Sequence, residues 1–177
     1  MRLTNDGKTL DPEAWTSWIE SVDKNLSKNP RIRPLFLLLN TKALTADDTY
    51  DTVVDFLTEY CNNAKLLDIE TLLKNMDRLE NGQSTDPVVW SEWNKSVDTV
   101  LSKNSESVEN GFDAKQGYEV GIIFLDMYSH RVNSAEIIAL VDEMKLQPVD
   151  IRSSTNPNTW YLWLEYVNKT LNKYRTF

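Results

Sequence analysis

Cysteine and histidine occur once each, as Cys61 and His130, and glycine only five times in 177 residues. A single cysteine cannot close an intramolecular disulfide, so nothing in the chain requires an oxidising compartment. One histidine with one cysteine excludes the ordinary zinc spacings, and no D-x-[DN]-x-[DN]-G calcium loop occurs. Neither glycine pattern that cradles phosphate, G-x-G-x-x-G or G-x-x-x-x-G-K-[ST], is present. His130 follows Ser129, but neighbours on a helix face different ways, so the pair has no nucleophile–base geometry. Cys61 has no histidine to activate it and reads as a packed thiol. Long apolar runs are also missing. The longest, Leu35 to Leu39, is far too short to span a bilayer, and the opening "MRLTNDGKTL" lacks the apolar core of a signal peptide. The expectation is a cytoplasmic protein with no membrane contact, no metal and no cofactor. Basic charge is in deficit too. With 27 acidic against 19 basic residues the formal charge is -8 and the pI about 4.7, a balance that repels nucleic acid and attracts basic surfaces.

Tryptophan is where the sequence is rich. All six stand in pairs three residues apart: Trp15/Trp18, Trp90/Trp93 and Trp160/Trp163. Each pair has the same company. Asp11-Pro12, Asp86-Pro87 or Asn156-Pro157 precedes it, and Val22/Leu26/Lys28, Val97/Leu101/Lys103 or Val167/Leu171/Lys173 follows. The copies are spaced by 75 and 70 residues, and a fixed internal period is the signature of a repeat. Between the pairs, residues 50–77 lie on 118–145 without a gap. Seven of 28 positions are then identical: Tyr50/Tyr118, Phe56/Phe124, Leu57/Leu125, Tyr60/Tyr128, Ile69/Ile137, Leu72/Leu140 and Met76/Met144.

The local chemistry is helical. Asp or Asn before Pro starts a helix well, because the short side chain accepts orphan N–H groups while Pro has no N–H to leave unpaired. Behind Asp11, Trp15, Trp18, Val22 and Leu26 fall on one face of a 3.6-residue period, and Leu10 is placed to staple onto Trp15. A second helix starts near Asp47 or Lys115, and a third covers Ile69 to Leu79 or Ile137 to Met144. Strand and hairpin signals are nearly absent. The expected fold is therefore all-α: a tandem helical repeat, solenoid-like or a compact bundle, of about seven helices. Unit one spans 10–84, unit two 85–154, and a partial third unit, 155–177, covers the open end of unit two. The general form resembles helix-hairpin repeat adaptors, although the period of about 70 residues and D-P-x-x-W-x-x-W do not match the 34-residue tetratricopeptide signature. The paired tryptophans read as the seam between units; pockets for a cation or base are the rival reading.

Differences between copies are where function shows. The first copy carries the extra apolar stretch Leu35–Leu39, either a buried closing turn or a partner patch. It also carries Asp48, Asp51, Asp55 and Glu59 at i, i+3, i+7 and i+11, where the second copy has Gln116, Glu119, Ile123 and Met127. The fold does not require such a stripe, and like charges at this spacing cost about 0.2–0.5 kcal/mol per pair. Either the stripe is a solvated face, or it docks a basic protein. Small acidic proteins without catalytic motifs are a common form for immunity proteins and other inhibitors of basic toxins or nucleases. The expectation is a non-enzymatic inhibitor of that kind, binding a basic protein through Asp48, Asp51, Asp55 and Glu59. A scaffold holding a peptide or helix in an apolar groove is the first alternative, and a small-ligand pocket lined by tryptophan is the second.

Overall fold

The computed structural model describes residues 44–64, 66–103, 111–145 and 157–173. The chain falls into two compact units, Met1–Leu37 and Leu38–Phe177, and every described residue belongs to the second. Six helices make up the described part: α1 (Ala46–Ala64), α2 (Leu67–Met76), α3 (Pro87–Lys103), α4 (Ala114–Val132), α5 (Ala135–Met144) and α6 (Pro157–Lys173). No strand occurs among the described residues, only two isolated bridges, Leu44 with Phe112 and Arg78 with Ser84. The fold is all-helical. The tryptophan segment at residues 10–29, the expected seventh helix, and the Leu35–Leu39 run lie outside the described residues.

Helix starts follow local capping chemistry. Thr45 and Asp48 cap α1 reciprocally: Asp48 Oδ2 accepts the Thr45 N–H at 2.9 Å, and the Asp48 N–H donates to Thr45 Oγ1 at 3.0 Å. Asp113 and Gln116 do the same for α4, at 2.7 and 3.0 Å. Asp86 Oδ1 accepts the Val88 N–H at 2.8 Å just ahead of Pro87, the N-cap role that Asp-Pro implies. α2 ends at Met76, short of the expected Leu79. Asp77 leaves the helical region at ψ 133, and Thr85 Oγ1 returns to the Lys74 and Asn75 carbonyls at 2.9 and 3.0 Å, satisfying the helix end.

Residues 68 positions apart in sequence meet each other. Leu44 and Phe112 exchange two backbone hydrogen bonds, 3.1 and 2.8 Å. Where α1 crosses α4, Val53 packs on Gly121 and Thr49 on Gly117; a Cβ on Gly121 would stand 3.3 Å from Val53 Cγ2. At the start of α2 and α5 the Asp68 N–H donates to Glu136 Oε2 at 3.0 Å, and Ser134 Oγ donates to Asp68 Oδ2 at 2.6 Å. Leu66, the N-cap of α2, makes no side-chain bond, so the carboxylate of Glu136 serves α2 instead.

The tryptophans fill the core between these crossings. α3 packs chiefly on α4 and α6 chiefly on α1. Tyr50 meets Trp93 edge-on at 5.0 Å, and Tyr118 meets Trp160 at 4.9 Å. Phe124 meets Trp93 at 5.6 Å, and Trp163 meets Phe56 at 6.3 Å and Tyr118 at 5.6 Å, so Trp93 and Trp163 are each wedged between an early and a late aromatic. Trp93, Trp160 and Trp163 are buried. The last helix lies chiefly against α1 and also reaches α4, where Trp160 and Trp163 meet Tyr118. The reason is chemical. α1 carries the same buried aromatic face as α4, and its edge adds Asp55, Glu59 and Thr52, which bond residues of α6.

Burial has a consequence for alkaline stability. It pushes the Tyr50 hydroxyl up to about 12, and burial together with the Glu143 carboxylate pushes Tyr60 up to about 12. Burial raises Tyr118 as well. An unfolded tyrosine ionises near pH ~10, so these groups favour the folded state fully below that pH, and the contribution is lost as pH climbs toward 12. Urea midpoints are expected to hold steady to pH ~10 and fall beyond it. A midpoint unchanged to pH ~11.5 would show that these rings ionise normally.

Candidate functional site

The acidic edge of α1 is the candidate site, and the structure gives its four carboxylates separate internal partners. Asp48 is buried and belongs to the α1 cap, where its Oδ2 also accepts the Thr45 hydroxyl at 2.7 Å. Asp51 Oδ1 accepts Arg78 Nε at 3.0 Å. Asp55 Oδ2 lies 3.3 Å from Lys173 Nζ, at the end of α6. Glu59 Oε2 accepts the Tyr166 hydroxyl at 3.3 Å. A single helix face thus divides into a cap, an arginine clamp and a seam with α6.

The clamp is the most elaborate of the three. Arg78 stands in the short bridge with Ser84 and donates to Asp51, to Asp47 Oδ1 at 3.2 Å and to the Gly82 carbonyl at 2.7 Å. Its guanidinium lies over the Tyr50 ring at 4.6 Å and reaches the Trp90 ring at 6.0 Å. Planar stacking with a fork of donors is what arginine does better than lysine. Gly82 holds φ +80, the left-handed region glycine favours, and that turn aims its carbonyl at Arg78.

Asp51 and Asp55 keep 44% and 39% side-chain exposure in these pairs, and Lys173 keeps 56%. Exposed ion pairs of this kind contribute about 0–1 kcal/mol, so a competing cation from outside displaces little. Asp48 is the exception: at 8% exposure and fully engaged at the helix start, it has no outward face.

Across the fold, α3 and α4 are joined by a pair that the sequence did not single out. Arg131 donates to both Glu92 oxygens, at 2.6 and 3.0 Å, while its guanidinium covers the Tyr128 ring at 4.8 Å. The hydrogen bond to Glu92 raises the Arg131 pKa. Nothing in the local sequence signals it, because the partners are 39 residues apart.

The remaining reactive side chains are accounted for. Ser129 Oγ donates to the Asp126 carbonyl at 2.8 Å, and exposed His130 places Nδ1 2.7 Å from the same oxygen, so the two share an acceptor rather than a proton. Cys61 is buried and donates to the Leu66 carbonyl at 3.4 Å. Among the described residues no three His, Cys, Asp or Glu side chains gather as a metal site, and no helix is long and apolar enough to cross a membrane.

Compared with known proteins, the chain matches no family model, no curated protein and no solved structure. Its function therefore rests on its own geometry.

Proposed function

We propose that the protein acts by binding rather than catalysis, as an inhibitor or immunity protein that neutralises a basic partner through the edge formed by Asp51, Asp55 and Glu59. The observation that carries this reading is the exposure of Asp51 and Asp55 while paired with cations that are themselves partly exposed. A lysine or arginine from a partner joins or replaces Arg78 and Lys173 at small cost, and the net charge of -8 speeds its approach. Asp48 supports the helix that presents the others.

The scaffold beneath this edge is, in our reading, an internal duplication whose halves, 44–103 and 112–173, each lend their tryptophan helix to the other. Support comes from the contacts between residues 68 apart: a residue that touches its own counterpart lies on a two-fold axis relating the copies. Cytoplasmic residence fits the single thiol.

The test is capture of a basic partner at low salt, followed by its on-rate and affinity in rising salt. Both are expected to fall steeply by about 0.5 M, where screening shortens to a few ångströms. Asp51→Lys/Asp55→Lys is expected to abolish capture, and Lys173→Met, which removes an internal competitor, to strengthen it. Binding indifferent to salt and to both variants would reject the acidic edge. It would favour the adaptor reading, which the exposed Leu67, Leu79 and Val88 support.

A further inference from the structure

We propose that three cross-helix pairs in each seat form a recognition code, which places α3 on α4 and α6 on α1 and keeps the two tryptophan helices from taking each other's place. The inference compares the seats through the registers that align their aromatics, and it does not use the acidic edge as a docking site.

Aromatic packing does not choose between the seats. Trp93 stands between Tyr50 and Phe124, and Trp163 between their counterparts Tyr118 and Phe56. The choice falls to positions four residues apart beside the tryptophans, 92, 96 and 100 on α3 and 162, 166 and 170 on α6, which form one ridge of each helix. On the α4 seat, buried Glu92 accepts Arg131 Nε and Nη2 at 2.6 and 3.0 Å. Ser96 Oγ lies 3.8 Å from Met127 Sδ, and Val100 and Val120 are both fully buried. On the α1 seat the same positions hold a different set. Leu162 stands where α3 has Glu92, and Asn63 is the residue at the position of Arg131. The Tyr166 hydroxyl donates to Glu59 Oε2 at 3.3 Å, where the other seat has Ser96 and Met127. The Thr170 and Thr52 hydroxyls meet at 2.9 Å, where the other seat has Val100 and Val120. Thr52 gives its own proton to the Asp48 carbonyl at 2.6 Å, so Thr170 is the donor between them.

The two seats therefore differ on both helices at once. Charge meets charge, valine matches valine, and a hydroxyl meets a hydroxyl or a carboxylate. Misplacement is penalised along the whole ridge. On α1, Glu92 would bury a carboxylate with no cation at position 63, and a buried charge without its partner is strongly destabilising. On α4, Arg131 would face Leu162, and Tyr166 would find a thioether in place of its acceptor. Specificity of this kind comes from mismatches with the wrong partner as much as from matches with the right one. Each pair joins residues distant in sequence, so the code is read only in the closed fold.

The test transplants the α3–α4 set into the α1 seat of the full chain and reads urea midpoints. Leu162→Glu/Tyr166→Ser/Thr170→Val on α6 is expected to lower the midpoint, and Thr52→Val/Glu59→Met/Asn63→Arg on α1 to lower it less. Together the six changes are expected to recover more than half of the summed loss, a non-additivity that marks residues in contact. A crossed control joins the α6 changes to Val120→Thr/Met127→Glu/Arg131→Asn on α4, which leaves every seating mismatched. Its losses are expected to add. Additive losses in both combinations overturn the proposal, because the ridges then do not read each other. Recovery in both overturns it as well, because composition rather than seating is then what counts. If the triple variants fail to fold, Leu162→Glu joined to Asn63→Arg, and separately to Arg131→Asn, makes the same comparison on one pair with the same two overturning results.

Discussion

Replacing Trp163 with alanine is expected to cost about 3–5 kcal/mol, the range for emptying a buried aromatic site. The side chain is 0% exposed, and the loss has three parts. Apolar surface returns to water at about 25 cal/mol per Å². The edge contact with Phe56 at 6.3 Å and the tilted one with Tyr118 at 5.6 Å disappear. The Ala114 carbonyl loses the indole N–H that reached it at 2.8 Å. Trp163→Phe separates these parts: it keeps most of the ring and removes the donor, and since the Ala114 carbonyl is still an acceptor within α4, the lost bond should cost about 0.5–1.5 kcal/mol. Trp90, half-buried beneath Arg78, is expected to tolerate alanine far better than Trp163. Urea unfolding of the three variants would decide. Small losses at both Trp90 and Trp163 would mean that the tryptophan pairs act as exposed platforms rather than as core.

The tryptophan helices were legible in the sequence because their causes are local. Asp86-Pro87 announces a helix start through cap chemistry confined to three residues, and α3 begins at Pro87. The spacing of Trp90, Trp93, Val97 and Leu101 places them on one face without help from the rest of the chain, although the residue fully buried at the end of that face is Val100 and Leu101 is only half-buried. Partner choice was not legible. α1 and α4 carry matching faces, Phe56/Tyr60 and Phe124/Tyr128, so the pattern of α6 suits either, and only the closed geometry assigns α6 to α1. The acidic stripe was half legible for the same reason. Its spacing along one helix is local, whereas Lys173 and Tyr166 come from more than 100 residues away. The extent of α2 was misjudged because Leu79 continues the apolar period, while Arg78 is drawn out of the helix by Asp47, Asp51 and the Tyr50 ring.

Gly121→Leu is expected to destabilise the fold by roughly 1–3 kcal/mol, although leucine is the far better helix former. Glycine inside α4 makes sense at the crossing with α1, where the backbones approach closely. The Cβ of any replacement lies 3.3 Å from Val53 Cγ2, and Val53 is itself only 2% exposed. Alanine should be nearly neutral, since a helix-propensity gain of about 1 kcal/mol offsets one tight contact. Leucine adds three more carbons to a filled space, and a valine branched at Cβ has little freedom to turn aside. The decisive variant is the pair. Val53→Ala alone should cost about 1–3 kcal/mol by opening a cavity, yet in the Gly121→Leu background the same truncation supplies the volume that leucine needs. The two changes should therefore be non-additive by at least about 1 kcal/mol in favour of the double variant. Simple additivity in urea unfolding would place Val53 and Gly121 out of contact. Gly117→Leu extends the reasoning to α6. Its Cβ would meet a ring carbon of Trp163 at 3.2 Å, so overpacking there should loosen the last helix along with the crossing.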